Sequence, residues 1–208
     1  MIERVMADFT AAARRAYDAG FKLLEIHAAH GYLGHSFLSP LSNDRSDDYG
    51  GSLEHRARFL LETLDAVRAS WPEDLPLFLR LSCTDWVDGG LTVDDIVQVT
   101  GWVRDRGDVD LIDCSSGGND PRQQIPIHPG YQVPFAERVK RETGMRTSAV
   151  GLLHSPDMCE EIIANGRADL IVLGRALLAD PYWPLHAATK LRAENLDWPI
   201  QYERSNIF

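Results

Sequence analysis

Phe21-Lys22-Leu23-Leu24-Glu25-Ile26-His27-Ala28-Ala29-His30-Gly31-Tyr32-Leu33 runs from a short apolar segment straight into two imidazoles and a phenol. The first part has the composition of a buried parallel strand over residues 22–27. A turn-rich loop follows at Ser39-Pro40-Leu41-Ser42-Asn43-Asp44. Polar groups gathered where a parallel strand gives way to a loop mark the face on which α/β barrels build their sites. His27, His30 and Tyr32 can donate hydrogen bonds or move protons, a combination suited to polarising an oxygen and delivering a proton. Two plainer readings stay open. One is half of a metal site, for which residues i and i+3 of an extended segment need a bend to converge. The other is a pair of histidines bonded only to backbone.

Outward from this stretch, strands and helices alternate. Helical spacing predicts a helix over 3–19 stopped by Gly20, and Ser52 caps a second that runs to about Ser70. Strands are expected at 77–82, 111–115, 147–150 and 168–173. Helices are expected at 92–106, 134–143 and 155–165, with residues 175–191 mostly helical. This order defines a parallel α/β fold. Residues 1–208 read as a single α/β domain without linker or repeat. Five strands suffice for an open doubly wound sheet but fall short of the eight of a full barrel, which takes about 250 residues.

At 208 residues, with 44% hydrophobic and 25% charged residues, the chain has an ordinary globular composition. Its net charge of -10 argues against a nucleic-acid or acidic-membrane partner. No apolar run has the length of a membrane span, and the first residues do not read as a signal peptide. Cys83, Cys114 and Cys159 are odd in number and set in apolar surroundings, as reduced core cysteines of a cytoplasmic protein would be.

Other strand ends add candidates. Leu173-Gly174-Arg175 and Val150-Gly151 offer backbone that a phosphate can approach, and Arg175 offers a bidentate charge. Arg80, inside an apolar strand, needs a partner. Asp113, Glu25 and a ligand atom at the barrel mouth are all open to it. No dinucleotide or Walker fingerprint is present. No Cys or carboxylate stands at ligand spacing from His27 and His30, which counts against a metal-dependent hydrolase.

Several blocks together resemble a known family. They are residues 25–33, Phe37-Leu38-Ser39-Pro40-Leu41-Ser42-Asn43, Asp48-Tyr49-Gly50-Gly51-Ser52, Leu111-Ile112-Asp113-Cys114-Ser115-Ser116-Gly117, Pro129-Gly130-Tyr131-Gln132-Val133 and Ala168-Asp169-Leu170-Ile171. In this order they resemble the C-terminal part of an old yellow enzyme of the thermophilic-like branch, an FMN-dependent ene-reductase. The resemblance implies a (β/α)8 TIM-type barrel, of which this chain holds about five β/α units. It implies FMN as cofactor and NADPH or NADH as hydride donor, with an enone or related activated alkene as substrate. His27 and His30 would bind the substrate carbonyl and Tyr32 would donate the proton. Arg80 would meet the flavin ring, and Gly151, Gly174 and Arg175 would hold the FMN phosphate. Arg204 would reach a neighbouring subunit's site in a homo-oligomer. The resemblance further implies an N-terminal truncation that removes the first three strands. The rival expectation is a non-catalytic partial barrel that depends on a complementary chain or on self-association.

Overall fold

The computed structural model describes residues 1–193 and 198–205. Helix α1 (Ile2–Asp18) leads into strand β1 (Leu24–Ala28) and the short helix α2 (Leu33–Leu38). Then come α3 (Leu53–Arg68), β2 (Leu77–Ser82), α4 (Val93–Arg106), β3 (Leu111–Ser115), α5 (Val133–Thr143) and β4 (Thr147–Ala149). The described chain continues through α6 (Pro156–Ala164), β5 (Leu170–Ile171), α7 (Arg175–Ala179), α8 (Trp183–Lys190) and a 3-10 turn, η1 (Ile200–Ser205).

All neighbouring strands pair in parallel, in the order β1-β2-β3-β4-β5. That order decides between the two α/β architectures. A doubly wound sheet reverses direction at a switch point, whereas an unbroken sequential order is that of a barrel wall. The chain therefore forms part of a TIM-type barrel.

Register divides the sheet into two faces. Ala28, Leu81, Cys114, Ala149 and Ile171 fall in one row. The first four are buried in the core shared with the helices, among them Leu60, Leu64, Ile96, Val139 and Ile162. Each large aliphatic side chain buried there contributes about 1.5–3 kcal/mol. The alternate row reads His27, Arg80, Asp113, Ser148 and Leu170. Polar and charged groups thus line the inner face, and Leu170 on it is 46% exposed.

Local chemistry sets the helix limits. The Ser52 hydroxyl accepts the His55 N–H, and Thr92 with Asp95 forms a reciprocal capping box. Gly107 and Gly144 end α4 and α5 in the left-handed region. Residues 33–38, given no element from the sequence, are helical. One expectation needed correction. Strand β5 keeps only two of the six residues expected, because it pairs on one side with a three-residue neighbour. Residues 175–191 are mostly helical, as expected, in two helices broken around Pro181, whose ring disfavours helical backbone at Asp180.

The candidate active site

The bend that His27 and His30 require is present. His27 lies in β1, while His30 just beyond adopts φ 57°, a left-handed conformation uncommon outside glycine. Their ring centroids stand 5.2 Å apart and nearly perpendicular, and the Tyr32 ring lies 5.1 Å from His27.

The turn is held by its own backbone donors. The Ala29 N–H donates to His27 Nδ1 at 3.1 Å and the His30 N–H to Ser82 Oγ at 3.0 Å. The Gly31 N–H donates to His35 Nδ1 at 2.9 Å, and the Tyr32 N–H to the Ala29 carbonyl at 3.1 Å. Since Nδ1 of His27 accepts, the neutral ring carries its proton on Nε2, a donor without a hydrogen-bond partner among the described residues. His30 Nε2 lies 2.5 Å from the Ser115 hydroxyl. Tyr32 is 65% exposed.

Electrostatics keep both rings neutral. Burial pushes His30 down to about 4, reinforced by the Arg80 guanidinium and then by His27 and His35. Burial and Arg80 also lower His27. At neutral pH both rings are therefore uncharged, and the Nε2–H of His27 is a donor of the kind that can polarise an oxygen without the ring first being protonated. Among the described residues, no group of three or more His, Cys, Asp or Glu is placed to hold a metal ion.

Arg80 faces two ways. Its Nε lies 3.1 Å from Asp113 Oδ2, and Asp113 Oδ1 accepts the Ser148 hydroxyl at 2.7 Å. Burial nonetheless raises the Asp113 carboxyl, against the pull of Arg80 and Ser148. Arg80 also lines a groove of about 480 Å³ with Ser115, Gln132, Gly151, Gly174 and Arg175. The structural partner and the groove-facing position, both left open by the sequence, coexist.

The groove suits a phosphate-bearing ligand. Gly151 has φ 129°, and a Cβ there would press the Tyr131 ring at 3.2 Å. Among the described residues other than its two chain neighbours, none has an atom within 4 Å of where a Cβ on Gly174 would stand, so its backbone faces open space. Arg175 is exposed and, among the described residues, forms no ion pair. Ser115 links the two clusters, since it lines the groove and touches His30. Arg204 belongs to neither; it lies exposed in η1, next to Tyr202, whose ring packs 5.6 Å from Tyr182.

Sequence reading missed Gln132, buried and bonded to Ser116 at 2.5 Å and to the Val150 carbonyl at 3.3 Å. It also missed His35 and Asp85. Neither had a local signal, since His35 meets the Gly31 backbone and an aspartate fifty residues further along the chain.

The parallel barrel wall thus sets neutral imidazoles beside a cationic, glycine-lined groove at its strand ends, where barrels of this type carry their sites. Residues 1–194 match the model of the NADH:flavin oxidoreductase / NADH oxidase family, and the chain belongs to that family, which includes the old yellow enzymes. It is 53% identical over 203 residues to the NADPH dehydrogenase of Geobacillus thermodenitrificans, covering 98% of this chain and 58% of that protein. Identity to the NADPH dehydrogenase of Bacillus subtilis is 50% over 203 residues, covering 98% and 59%. The chain thus spans less than two thirds of these relatives. Among solved structures it resembles a 2-naphthoyl-CoA reductase complex, with TM-score 0.85, 32% identity, and 91% of this chain covered against 29% of that one. It also resembles morphinone reductase in complex with tetrahydroNAD, with TM-score 0.72, 26% identity and coverage of 96% and 52%.

Proposed function

We propose that this chain carries the substrate-polarising and proton-donating side of an FMN-dependent oxidoreductase. That enzyme takes hydride from NADPH, or NADH, and reduces the activated C=C bond of α,β-unsaturated carbonyl compounds. The observation that carries the reading is the convergence of His27, His30 and Tyr32 beside the groove of Arg80, Gly151, Gly174 and Arg175.

Bound FMN supplies the hydride-transfer chemistry. Arg175, with the open backbone at Gly151 and Gly174, would hold its phosphate, and Arg80 its ring system. His27 offers its Nε2–H from one side of the pocket, and His30 stands beside it. A carbonyl oxygen placed between them gains hydrogen bonds that strengthen as charge moves onto it, and each such donor accounts for roughly 10²–10³ in rate. Tyr32, exposed at the mouth, delivers the proton to the α-carbon. Arg204, exposed on η1, would act in a neighbouring copy's site within a homo-oligomer.

The test is titration of the chain with FMN, reading the flavin absorbance spectrum alongside mass by light scattering. A stoichiometric, shifted spectrum followed by NADPH-dependent loss of an enone's conjugated absorbance is the expected result. Bound flavin that NADPH cannot reduce, or a reduced protein inert to enones, would sink the reading. A second reading, an association-dependent partial barrel, is favoured by the exposed inner-face Leu170 and by Leu23, 44% exposed, just before β1. It predicts free flavin in the spectrum and a concentration-dependent mass.

A further inference from the structure

A buried histidine–carboxylate pair lies beneath the turn that carries His30 and Tyr32. His35 on α2 and Asp85 in the loop after β2 are both fully buried. His35 Nδ1 accepts the Gly31 N–H at 2.9 Å. On the far side of the ring, Nε2 stands 2.9 Å from Asp85 Oδ1, off the line of an ideal hydrogen bond. A bare nitrogen lone pair at that distance from a carboxylate oxygen would be repelled. The one proton of the neutral ring therefore sits on Nε2. The other carboxylate oxygen, Oδ2, is also engaged, accepting the Ser39 hydroxyl at 2.6 Å and the Leu91 N–H at 2.8 Å. Burial alone would raise this carboxyl, yet the close contact with His35 and the bonds from Ser39 and Leu91 outweigh burial and hold it below the usual range.

We propose that Asp85 is a positioning residue. By fixing His35 as the Nε2–H tautomer it keeps Nδ1 open to hold the Gly31 N–H, and through Gly31 it sets the placement of His30 and Tyr32. The proposal rests on the reading of His30 and Tyr32 given above. The geometry transmits displacement well. Gly31 has φ 77° and packs so tightly on the Gly118 carbonyl that not even a methyl group fits between them. A shift of its backbone must pass to its neighbours rather than be absorbed.

An amide at position 85 has a definite consequence. If its oxygen keeps the Ser39 and Leu91 donors, its NH2 faces His35 Nε2. The ring must then accept on Nε2 and carry its proton on Nδ1, where it opposes the Gly31 N–H. The same wrong-tautomer logic applies when the aspartate of a serine-protease triad is replaced by asparagine.

The test uses the FMN-loaded protein labelled with ¹⁵N at histidine and tyrosine. In the wild type, His35 should show a protonated Nε2 and a bare Nδ1. In Asp85→Asn the pattern should invert, and the His30 and Tyr32 resonances should shift. Stopped-flow rates should split, with enone turnover falling roughly 10- to 100-fold while flavin reduction by NADPH stays close to wild type. Ser39→Ala keeps the carboxylate and should preserve both tautomer and rate. A protonated Nδ1 in the wild type, unmoved His30 and Tyr32 resonances in Asp85→Asn, or equal losses in Asp85→Asn and Ser39→Ala would each overturn the proposal. Should Asp85→Asn not fold, His35→Leu removes the same anchor, and unmoved His30 and Tyr32 resonances there would be equally decisive against it. The resonances report placement whether or not enones are reduced, so a well-ordered but inactive wild type would defeat only the functional reading.

Discussion

The ends of β1 and β5 face the same mouth but are built in opposite ways. After β1, four successive backbone N–H groups from Ala29 to Tyr32 each have a partner, three of them side chains. Under that turn lie the fully buried His35 and Asp85. After β5, a two-residue strand passes through Gly174 into α7, a helix with no buried residue, whose Leu178 is 85% exposed. The turn that carries His27, His30 and Tyr32 is thus fixed by the chain's own bonds, whereas the end proposed to hold the phosphate is left open. Preorganised donors cost no reorganisation at the moment of reaction, while a phosphate site can be completed by the phosphate itself.

The largest effect that would sharpen this contrast is expected from Tyr32→Phe. Loss of a positioned general acid typically lowers a proton-transfer step roughly 10²- to 10⁴-fold. Stopped-flow traces should show that loss in enone turnover alone, with flavin reduction by NADPH retained. Equal loss in both half-reactions would remove Tyr32 from the proton-donor role. At the other end, Arg175→Ala should weaken FMN binding roughly 10- to 100-fold, the range of a charge-assisted hydrogen bond. The urea unfolding midpoint of the FMN-free chain should not move, because the exposed Arg175 has no ion-pair partner among the described residues. A drop in that midpoint would mean that the β5 end is structural after all.

Substituting the same residue at both ends gives a smaller but cleaner comparison. Gly31→Ala puts a methyl group into the Gly118 carbonyl at a left-handed φ of 77°. It should lower stability by about 1–3 kcal/mol in urea titration. Gly174→Ala meets open space and should leave the midpoint alone while weakening FMN. Similar stability losses at both sites would erase the distinction drawn here.

How far the sequence discloses this arrangement depends on where each element gets its stability. Strands β2 and β3 fall where their apolar runs stand, at 77–82 and 111–115, because both are central and covered by helices. The helix ends at Ser52 and Thr92 were readable because capping is local chemistry. Strand β5 was read too long, since its apolar run continues beyond the length over which β4 can pair with it. Helix α2 was missed because its six residues include Gly34 and no side chain caps its start at Tyr32. It forms through packing on α3 and β1, information that no short window contains. His35 and Asp85, fifty residues apart, were hidden for the same reason. His27, His30 and Tyr32 could be named because they are close in sequence, but the left-handed φ at His30 that brings the rings together could not.

The smallest effect concerns charge on the inner face of β1. Glu25 retains surface in contact with solvent, yet the atoms packed around its carboxyl, with the nearby Asp113, raise it to about 7 against the pull of Arg80. Its folded value lies above the ordinary carboxylate range. The stability it contributes is present at low pH and lost as pH rises through about 7. His30 runs the other way. Its folded value of about 4 lies below that of a free imidazole, so its contribution is present above the ordinary histidine range and lost as pH falls toward 4. Between those two ordinary ranges the slopes oppose, and the wild-type profile should be shallow. Glu25→Gln removes one side of the balance. Its urea midpoint relative to wild type should climb as pH rises through about 7 and level off beyond it, as the wild-type carboxylate completes its ionisation. A difference that stays constant across that range would show that Glu25 titrates as it does in the unfolded chain, and that the β1 end is held by its hydrogen bonds alone.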